Sequence, residues 1–374
     1  MRQAITARVT ITDLTFVLNN AYFYMPSEEM IDSDFFKKLP KIELHLHLEG
    51  AIPVPSLWEL VKKYDVKKVV KSQSDLEKAF MYEDFSHFLN IWTWKNTFLE
   101  EYEDFTFIAT EVVKDLIDQN HRYVEFFFTP RDHMDKGIDP QKLLEALHDG
   151  VKDFFDRITV NFIFDISRNF GPENGMMLLE QMKEMKSYNL AGMGMGGSEH
   201  LYPPKPFEEV YEKARNYGFH TTVHAGEAAG SASIWEVLEN LHPDRIGHGT
   251  SIIEDPKLLN HVKERRIPIE LCPISNVRTG VVKNLIDHPV REYYNNDLNI
   301  SINTDDPKMF NTSLENEFTQ LEEIGFKKKD VKVLLENAIN SAWCNEDIKN
   351  NLRKEIDDYY NKTCISSKTV DNTA

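Results

Sequence analysis

Cysteine and long hydrophobic runs are both scarce in this sequence of 374 residues. The three cysteines form no CxxC pair, so no disulfide scaffold is predicted; they are Cys272, Cys344 and Cys364. No run approaches about 18 apolar residues, which excludes a transmembrane helix. The partly apolar segment ITDLTFVLNN carries Asp13 and lacks a small-residue cleavage site, unlike a targeting peptide. We therefore expect a cytoplasmic protein with no membrane partner.

Positive charge is also in short supply. The chain has 43 Lys and Arg residues against 61 Asp and Glu, a formal net charge of −18. A field of that sign repels nucleic-acid phosphates, and the sequence shows no local basic patch, so we expect no nucleic-acid partner. With 41% hydrophobic and 28% charged residues, the chain can bury a substantial core, which excludes a disordered or collagen-like protein.

Neither an internal repeat nor a glycine-rich phosphate loop is visible, and the run GMGMGG at 192–197 lacks the GxGxxG spacing before a helix. What the sequence does contain is a series of short apolar runs that alternate with helical stretches. These runs begin at Lys41, Arg122, Val160, Asn189, Phe219, Arg245, Ile267 and Leu298. Eight strands alternating with helices predict a closed (β/α)8 TIM barrel, with an open doubly wound sheet as the alternative.

The spacing of the runs also indicates the domain organisation. About 75 residues separate the first strand from the second. This gap predicts several extra helices inserted after strand one, on the barrel face that carries active sites. We expect one barrel domain over residues 36–364. Residues 1–35 are expected to form an extension of uncertain order, and residues 365–374 a polar tail.

Two histidines end the first predicted strand. His45 and His47 are separated by one residue, so on a strand both side chains point to the same face, near the C-terminal mouth of the barrel. Two imidazoles on one face can bind one metal ion. The HxH spacing alone is common, and its position at the end of an apolar strand is what favours a metal site.

Groups of the same kind follow at the ends of three later strands. They are His224 and Glu227 after the fifth run, His248 in the sixth, and Asp305 and Asp306 after the eighth. Each alone has a plain structural interpretation, such as a histidine satisfied by a neighbour or a turn. Together, three histidines and one carboxylate suit zinc, with a position open for water. The remaining groups are free for acid–base and recognition roles.

These motifs resemble those of the adenosine deaminase family of metal-dependent barrel hydrolases. The similarity covers about residues 38–345 and rests on KIELHLHLEGA, TVHAGE, RIGHG, CPISN and NTDDP, in that order. The small zinc cytidine deaminases do not match, because their HxE with a PCxxC pair is not assembled here. The resemblance implies a purine nucleoside substrate: adenosine and 2′-deoxyadenosine would be hydrolysed to inosine and 2′-deoxyinosine with release of ammonia, a step of purine salvage.

The resemblance also implies roles for single residues. One zinc ion per chain would be held by His45, His47, His224 and Asp305. His248 would orient a water molecule, take its proton and support the developing charge. Glu227 would donate a proton to N1 of the purine, which requires a dry pocket that raises its pKa against the charge of the metal.

Substrate contacts are implied in the same way. Asp306 would bond N7 of the purine, the backbone N–H of Gly197 would meet N3, and Glu49 takes the position that meets the ribose 5′-hydroxyl. The inserted segment DFSHFLNIW would supply an apolar lid, with simple core packing as the competing interpretation. Its lid residues are Phe88, Leu89 and Trp92.

Two departures from the commonest family pattern bear on the substrate. Glu49 and Gly194 stand where many members have Asp. Adenine deaminases of the superfamily often carry Glu at the first position, which keeps adenine as an alternative substrate. They usually have Asp before the histidine of the sixth strand, whereas this chain has Gly247, which would leave room beside His248. The sequence therefore favours the nucleoside.

Three further alternatives are weaker. AMP would require Arg or Lys near the barrel mouth to pair its phosphate, and the sequence places Glu49 there. A catalytically inactive binding protein does not fit the intact ligand set. A two-metal amidohydrolase generally needs a bridging lysine or glutamate at the end of the fourth strand, and NLAGMGMGG offers no lysine.

Overall fold

The computed structural model describes residues 34–65, 70–82 and 85–370. Eight parallel strands follow one another in chain order: β1 Lys41–His47, β2 His121–Phe128, β3 Thr159–Ser167, β4 Leu190–Gly196, β5 His220–Ala225, β6 Arg245–His248, β7 Ile269–Leu271 and β8 Ile300–Ile302. The barrel closes where the N–H of His47 donates to the carbonyl of Asp305 (2.8 Å) and the N–H of Asp305 to the carbonyl of His45 (3.1 Å). The predicted TIM barrel is confirmed.

Helices surround the barrel and connect its strands. Those in the described residues are α1 Phe35–Lys38, α2 Val54–Tyr64, α3 Gln73–Ala79, α4 Phe85–Asn96, α5 Tyr102–Asp118, α6 Arg131–Met134, α7 Pro140–Val151, α8 Gly171–Met182, α9 Glu208–Asn216, α10 Ser231–Glu236, α11 Pro256–Arg265, α12 Pro273–Arg278, α13 Val290–Asn295, α14 Pro307–Phe310, α15 Leu314–Glu323, α16 Lys328–Ser341 and α17 Glu346–Val370. Helices α2 to α5 lie between β1 and β2, as the long gap predicted.

Short 3-10 turns and one π-helical turn join these elements. The 3-10 turns are Glu49–Ala51, Lys152–Phe154, Arg168–Phe170, Lys186–Tyr188, Lys205–Phe207, Thr250–Glu254 and Leu285–Asp287, and the π turn is Val237–Leu241. None of the helices within the described ranges is long and apolar enough to cross a membrane.

Aspartate–proline pairs set the start of two outer helices. Asp139 precedes α7 and accepts two backbone N–H groups of its first turn, at 3.0 and 3.1 Å. Asp255 precedes α11 and accepts one at 2.8 Å. In each case proline follows as the first helical residue, where its fixed φ fits and its missing N–H costs nothing. Local sequence therefore decides where these helices begin.

The base of the barrel contains a buried ion-pair network. Arg245 on β6 pairs with Glu125 of β2 at 2.5 Å and with Glu270 of β7. The ring of Trp343 covers its guanidinium at 3.5 Å. Buried charges are costly unless they are paired and hydrogen-bonded. The network therefore holds three strands in place and fixes the side chain of Glu270.

The glycine run on β4 is explained by its neighbours inside the barrel. Gly192, Gly194 and Gly196 alternate along the strand and therefore share one face. A side chain at Gly192 would collide with Trp343, and side chains at the other two would meet Asp165. The run is a packing feature of the barrel interior, which agrees with its exclusion as a dinucleotide fingerprint.

Both chain ends extend past the described residues. Residues 1–33 of the predicted extension lie outside them, as do residues 371–374 of the predicted polar tail. Residues 365–370 continue α17.

Candidate active site and metal centre

The predicted residues meet at the C-terminal ends of the barrel strands. A cavity of about 460 Å³ lies there, with α4 forming part of its wall. Ten of the predicted site residues line it: His47, Phe88, Leu89, Trp92, Gly197, His224, Glu227, His248, Asp305 and Asp306. His45 and Glu49 are buried outside this lining.

The four predicted metal ligands form one cluster. Ligand atoms of His45, His47 and His224 all lie within 4.8 Å of one another. Asp305 Oδ1 lies 3.4 Å from Nε2 of His45 and 3.3 Å from Nε2 of His47. Strands β1, β5 and β8, distant in sequence, bring the groups together because the carboxyl ends of all barrel strands face one side.

The cluster has the chemistry of a metal site. Nε2 of His45 and Nε2 of His224 are buried without a hydrogen-bond partner in the described ranges, which is costly unless something else uses the lone pairs. Burial lowers the pKa of His47 to about 3 and that of His224 well below its usual value. Both imidazoles are therefore neutral, the form that binds metal. Together with the ring of His45, they offer three imidazole nitrogens, which with a carboxylate oxygen fit a divalent ion of the zinc type.

Two residues of the site have left-handed backbone conformations. The φ angle is 62° at His248 and 64° at Asp305, a region that few non-glycine residues occupy. Such conformations cost about 1–3 kcal/mol each and persist where the surroundings over-determine them. Asp305 is held in this conformation by the backbone hydrogen bonds that close the barrel and by a 2.6 Å hydrogen bond from Ser275 Oγ to its Oδ2. The backbone is strained where the chemistry is expected.

Sequence reasoning missed the group that orients His45. Nδ1 of His45 donates to Glu270 Oε2 at 2.8 Å, and the other carboxylate oxygen of Glu270 pairs with Arg245. Although burial opposes protonation, Asp305 and Glu270 raise the pKa of His45 to about 10. A metal at Nε2 would displace the proton there, while Nδ1 stays bonded to Glu270. The available signal was a glutamate inside the apolar run IPIELC.

A second missed set of residues fixes the tautomer of His248. The backbone N–H of Val290 donates to Nδ1 of His288 (3.1 Å), so the proton of that ring lies on Nε2, which donates to Asn276 Oδ1 (3.2 Å). Burial lowers the pKa of His288 to about 3 and keeps it neutral. The Asn276 amide then donates to Nδ1 of His248 at 3.1 Å. Because Nδ1 accepts this hydrogen bond, the proton of His248 lies on Nε2, 3.6 Å from Glu227 Oε2.

Two carboxyl groups at the site have raised pKa values. Burial raises the pKa of Glu227. Burial and the nearby charge of Asp305 raise the pKa of Asp306 well above its usual value. Asp306 Oδ1 is buried in the space that a side chain at Gly50 would need. In their acid forms, both groups can donate hydrogen bonds.

Glu199, a residue for which we found no signal in the sequence, holds the loop that carries Glu227. Its carboxylate accepts the backbone N–H groups of residues 226–229 at distances of 2.6 to 3.1 Å. Ser233 Oγ donates to the same carboxylate at 2.6 Å. Hydrogen bonds to an ionised acceptor are stronger than neutral ones. Glu199 therefore positions the turn after β5.

Replacing Glu199 by Gln should lower both stability and turnover. An amide offers one acceptor oxygen to five donors, and each buried donor left unpaired costs about 1–3 kcal/mol. We expect Tm to fall and kcat to drop about tenfold or more, because Glu227 is no longer held in position. Thermal unfolding and steady-state kinetics measure the two effects, with Glu346→Gln on the exposed face of α17 as the matched control. A Glu199→Gln protein with unchanged Tm and kcat would contradict this role.

Glu49 lies behind the cavity wall. Its Oε1 accepts the backbone N–H of Thr129 at 3.1 Å and lies 3.7 Å from Nε2 of His133. Although burial opposes ionisation, these two neighbours lower the pKa of Glu49. Its Oε2 has no hydrogen-bond partner in the described part of the chain. The contact of Glu49 with a ribose 5′-hydroxyl stays a prediction.

The structure overturns two expectations about substrate choice. A side chain at Gly247 would lie 2.9 Å from Cε1 of His45. The glycine therefore makes room for a candidate metal ligand, and not for substrate beside His248. The cavity wall also contains Arg131 and Lys136, cations that sequence reasoning did not place at the mouth. A shortage of cations no longer counts against a charged substrate.

The predicted lid residues both line the cavity and pack in the core. Trp92 lies edge-on to His47, with ring centroids 5.8 Å apart, and its Nε1 donates to Asp132 Oδ2 at 3.0 Å. Phe88 packs against Phe310, with centroids 5.1 Å apart. The two interpretations of this helix are compatible.

Known proteins are similar to this chain in sequence and in fold. The family described as "Adenosine deaminase" matches residues 40–359. The chain is 32% identical over 345 residues to the aminodeoxyfutalosine deaminase of Streptomyces coelicolor, covering 89% of each chain. It is 31% identical over 320 residues to the adenine deaminase of Chlorobium phaeobacteroides, covering 85% of this chain and 95% of that one.

A solved structure is similar to this chain in fold. An amidohydrolase from Burkholderia ambifaria, with bound zinc, superposes with a TM-score of 0.81 at 27% identity, covering 91% of this chain and 97% of that one. A family match over most of the chain thus coincides with a barrel whose mouth carries the candidate metal cluster. The chain belongs to the adenosine deaminase family of hydrolytic deaminases.

Proposed function

We propose that this protein is a zinc-dependent deaminase that converts adenosine and 2′-deoxyadenosine to inosine and 2′-deoxyinosine with release of ammonia, a step of purine salvage. The size and lining of the cavity carry this proposal. The cavity has a volume of about 460 Å³, and its lining includes the histidine cluster as well as Thr97 and Arg131. This volume falls within the range of about 300–1,000 Å³ that is usual for drug-sized ligands. A bare purine would leave part of the cavity unfilled.

The metal would be held by the four-residue cluster, His45, His47, His224 and Asp305. When bound, zinc would act as a Lewis acid that lowers the pKa of a water molecule from about 15.7 to about 7. Hydrogen bonds fix the orientation of two of these residues: Glu270 holds the ring of His45, and Ser275 holds the carboxylate of Asp305.

The purine would be recognised by donors on three sides. Glu227 in its acid form donates a proton to N1, which makes C6 more electrophilic. Asp306, also protonated, donates to N7, an acceptor that a charged carboxylate could not bond. The backbone N–H of Gly197 donates to N3. The raised pKa values of the two carboxyl groups support this assignment.

His248 would act as a hydrogen-bond donor. The proton on its Nε2, set by the chain of bonds from Val290, is directed towards the attacking oxygen and the developing charge. This tautomer differs from the proton-accepting role expected from the sequence. Oε2 of Glu227 lies 3.6 Å from His248 Nε2. Once Glu227 has given its proton to N1, its carboxylate can therefore accept the proton that the attacking water releases.

A comparison of substrates tests the nucleoside proposal. We expect kcat/KM for adenosine and 2′-deoxyadenosine to exceed that for adenine by about 10²-fold or more, because polar groups built to bond the sugar are left unpaired by the free base. An ammonia-release assay with adenosine, 2′-deoxyadenosine, adenine and AMP measures this ranking. Adenine as the best substrate would overturn the nucleoside proposal and favour the adenine deaminase alternative. No deamination of any purine by the metal-loaded protein would favour the inactive binding protein.

The cavity wall favours one further candidate, a purine nucleoside with an additional anionic group. Arg131 packs over Phe170 at 4.1 Å and pairs with the exposed Asp135 at 2.9 Å. Lys136 lies nearby in the same wall. The similarity to a protein named aminodeoxyfutalosine deaminase supports including aminodeoxyfutalosine in the assay, and a higher kcat/KM than for adenosine would favour this candidate.

A further inference from the structure

The cavity contains one buried carboxyl group that the proposed chemistry does not use. Asp165 lies on β3, lines the cavity and is 4% exposed. Its Oδ1 is buried and has no hydrogen-bond partner among the described residues. Burial raises the pKa of Asp165 to about 8, so the group can both donate and accept a hydrogen bond at neutral pH. A group of this kind is costly to bury and needs an explanation.

The neighbouring strand makes room for this carboxyl group. Asp165 is paired with Gly194 across β3 and β4. A Cβ atom at Gly194 would lie 2.6 Å from Oδ1 of Asp165, and one at Gly196 would lie 2.8 Å from Oδ2. Both oxygens therefore lie over the backbone of β4, in space that side chains of that strand would otherwise fill.

The fold itself makes little use of the group. Arg168 is the nearby cation that would be expected to pair with Asp165. Its guanidinium instead donates to the backbone carbonyls of Tyr202, at 3.1 Å, and His224, at 2.7 Å. A buried polar group that does not stabilise its surroundings is characteristic of a functional site.

The depth of Asp165 indicates which part of a substrate it can reach. A Cβ atom at Gly196 would lie 3.8 Å both from Cγ of Asp165 and from Cε1 of His224. The carboxyl group is therefore at the level of the histidine cluster, where the reacting base must lie.

We propose that Asp165 hydrogen-bonds the purine base of the substrate, as a recognition residue on the same wall as Gly197. The proposal rests on the proposed function, since it takes the reacting group to be a 6-aminopurine. The contact would come from a side chain of β3, in the space that Gly194 and Gly196 of β4 leave open.

Three variants of the metal-loaded full-length protein test the contact. Asp165→Ala should lower kcat/KM by about 10- to 100-fold, the range for loss of one hydrogen bond in a buried site. Asp165→Asn keeps a donor and an acceptor and should retain most activity. Asp153→Asn makes the same chemical change at an exposed position outside the cavity lining, in the 3-10 turn Lys152–Phe154, and is the matched control. Because the contact is to the base, the loss in Asp165→Ala should be within about threefold the same for adenosine, 2′-deoxyadenosine and adenine.

A second perturbation reaches Asp165 from the other strand. Gly196→Ala crowds Oδ2 of Asp165, while the next nearest atoms stay at ordinary contact distance. It should lower kcat/KM in the wild-type background and have a much smaller effect when combined with Asp165→Ala, as expected for two changes acting on one contact.

Metal content and stability separate recognition from a structural role. Asp165→Ala should keep its bound zinc and a Tm equal to or above that of the wild type, since an unsatisfied buried group has been removed. Loss of zinc or a lower Tm in both Asp165→Ala and Asp165→Asn, a loss of activity confined to ribosides, or unchanged kcat/KM would each overturn the proposal. A wild-type protein that deaminates no purine would instead overturn the proposed function itself.

Discussion

Replacing Glu227 by Gln is expected to lower kcat by about 10²-fold or more while the metal content stays near one equivalent per chain. The amide keeps the size of the side chain and its hydrogen-bonding capacity, yet it has no proton to transfer, and a lost general acid typically costs about 10²–10⁴-fold. Burial of Glu227 in the cavity that the apolar residues of α4 also line is what makes this proton available. Steady-state kinetics and elemental analysis of one preparation measure both quantities.

The pH profile gives the same test a second readout. Burial raises the pKa of Glu227, so its acid form persists to higher pH than that of an exposed glutamate. In the wild type, the rate should fall as pH rises through this raised pKa, because the acid form is lost there. In Glu227→Gln this descending limb should disappear. A Gln variant that remains folded but loses its metal would make Glu227 a ligand and require a new assignment of Asp305.

Removal of the metal should abolish activity altogether. His224→Ala deletes one ligand at the centre of the cluster, and we expect zinc and deaminase activity to be lost together. The matched control is His220→Ala on the same strand. His220 lies at the opposite end of β5, is 53% exposed and stacks on Trp343 at 5.0 Å. It should keep both metal and activity.

Freshly purified wild-type protein should contain close to one equivalent of zinc per chain. A strong chelator should inactivate it, and added zinc should restore the rate. Full activity in a chelator-treated protein that contains no metal would refute the metal assignment, and the barrel would then need a different source of nucleophile.

The strands and the clustering of the candidate ligands could be predicted because both depend on local pattern. Each barrel strand is a short apolar run with turn-forming residues at its end, and the parallel arrangement brings those ends to one face. The HxH pair at His45 and His47 needs only strand alternation to place both rings together. The inserted helices followed from chain length alone, since a gap of about 75 residues cannot be one loop in a compact barrel.

The supporting residues could not be predicted, because their roles depend on partners far away in the chain. Glu270 orients His45, Asn276 determines the tautomer of His248, and Glu199 holds the Glu227 turn. Glu270 does stand out as a glutamate inside an apolar run, but nothing local in the sequence identifies the ring or turn that any of the three would hold or orient. Gly247 shows the opposite error. It was interpreted through the candidate catalytic histidine next to it in the sequence, whereas its small size makes room for the ring of His45 on another strand.

The left-handed conformations of His248 and Asp305 limit how this centre could evolve or be redesigned. Aspartate, asparagine and histidine are the non-glycine residues that tolerate this backbone region best. A longer carboxylate or a β-branched residue at either position would work against the local backbone before any coordination chemistry was considered. The two positions are thus constrained by the peptide geometry as well as by the proposed reaction. Attempts to fit a different metal by exchanging the donor at Asp305 would have to rebuild the loop that follows β8 as well as the donor atom.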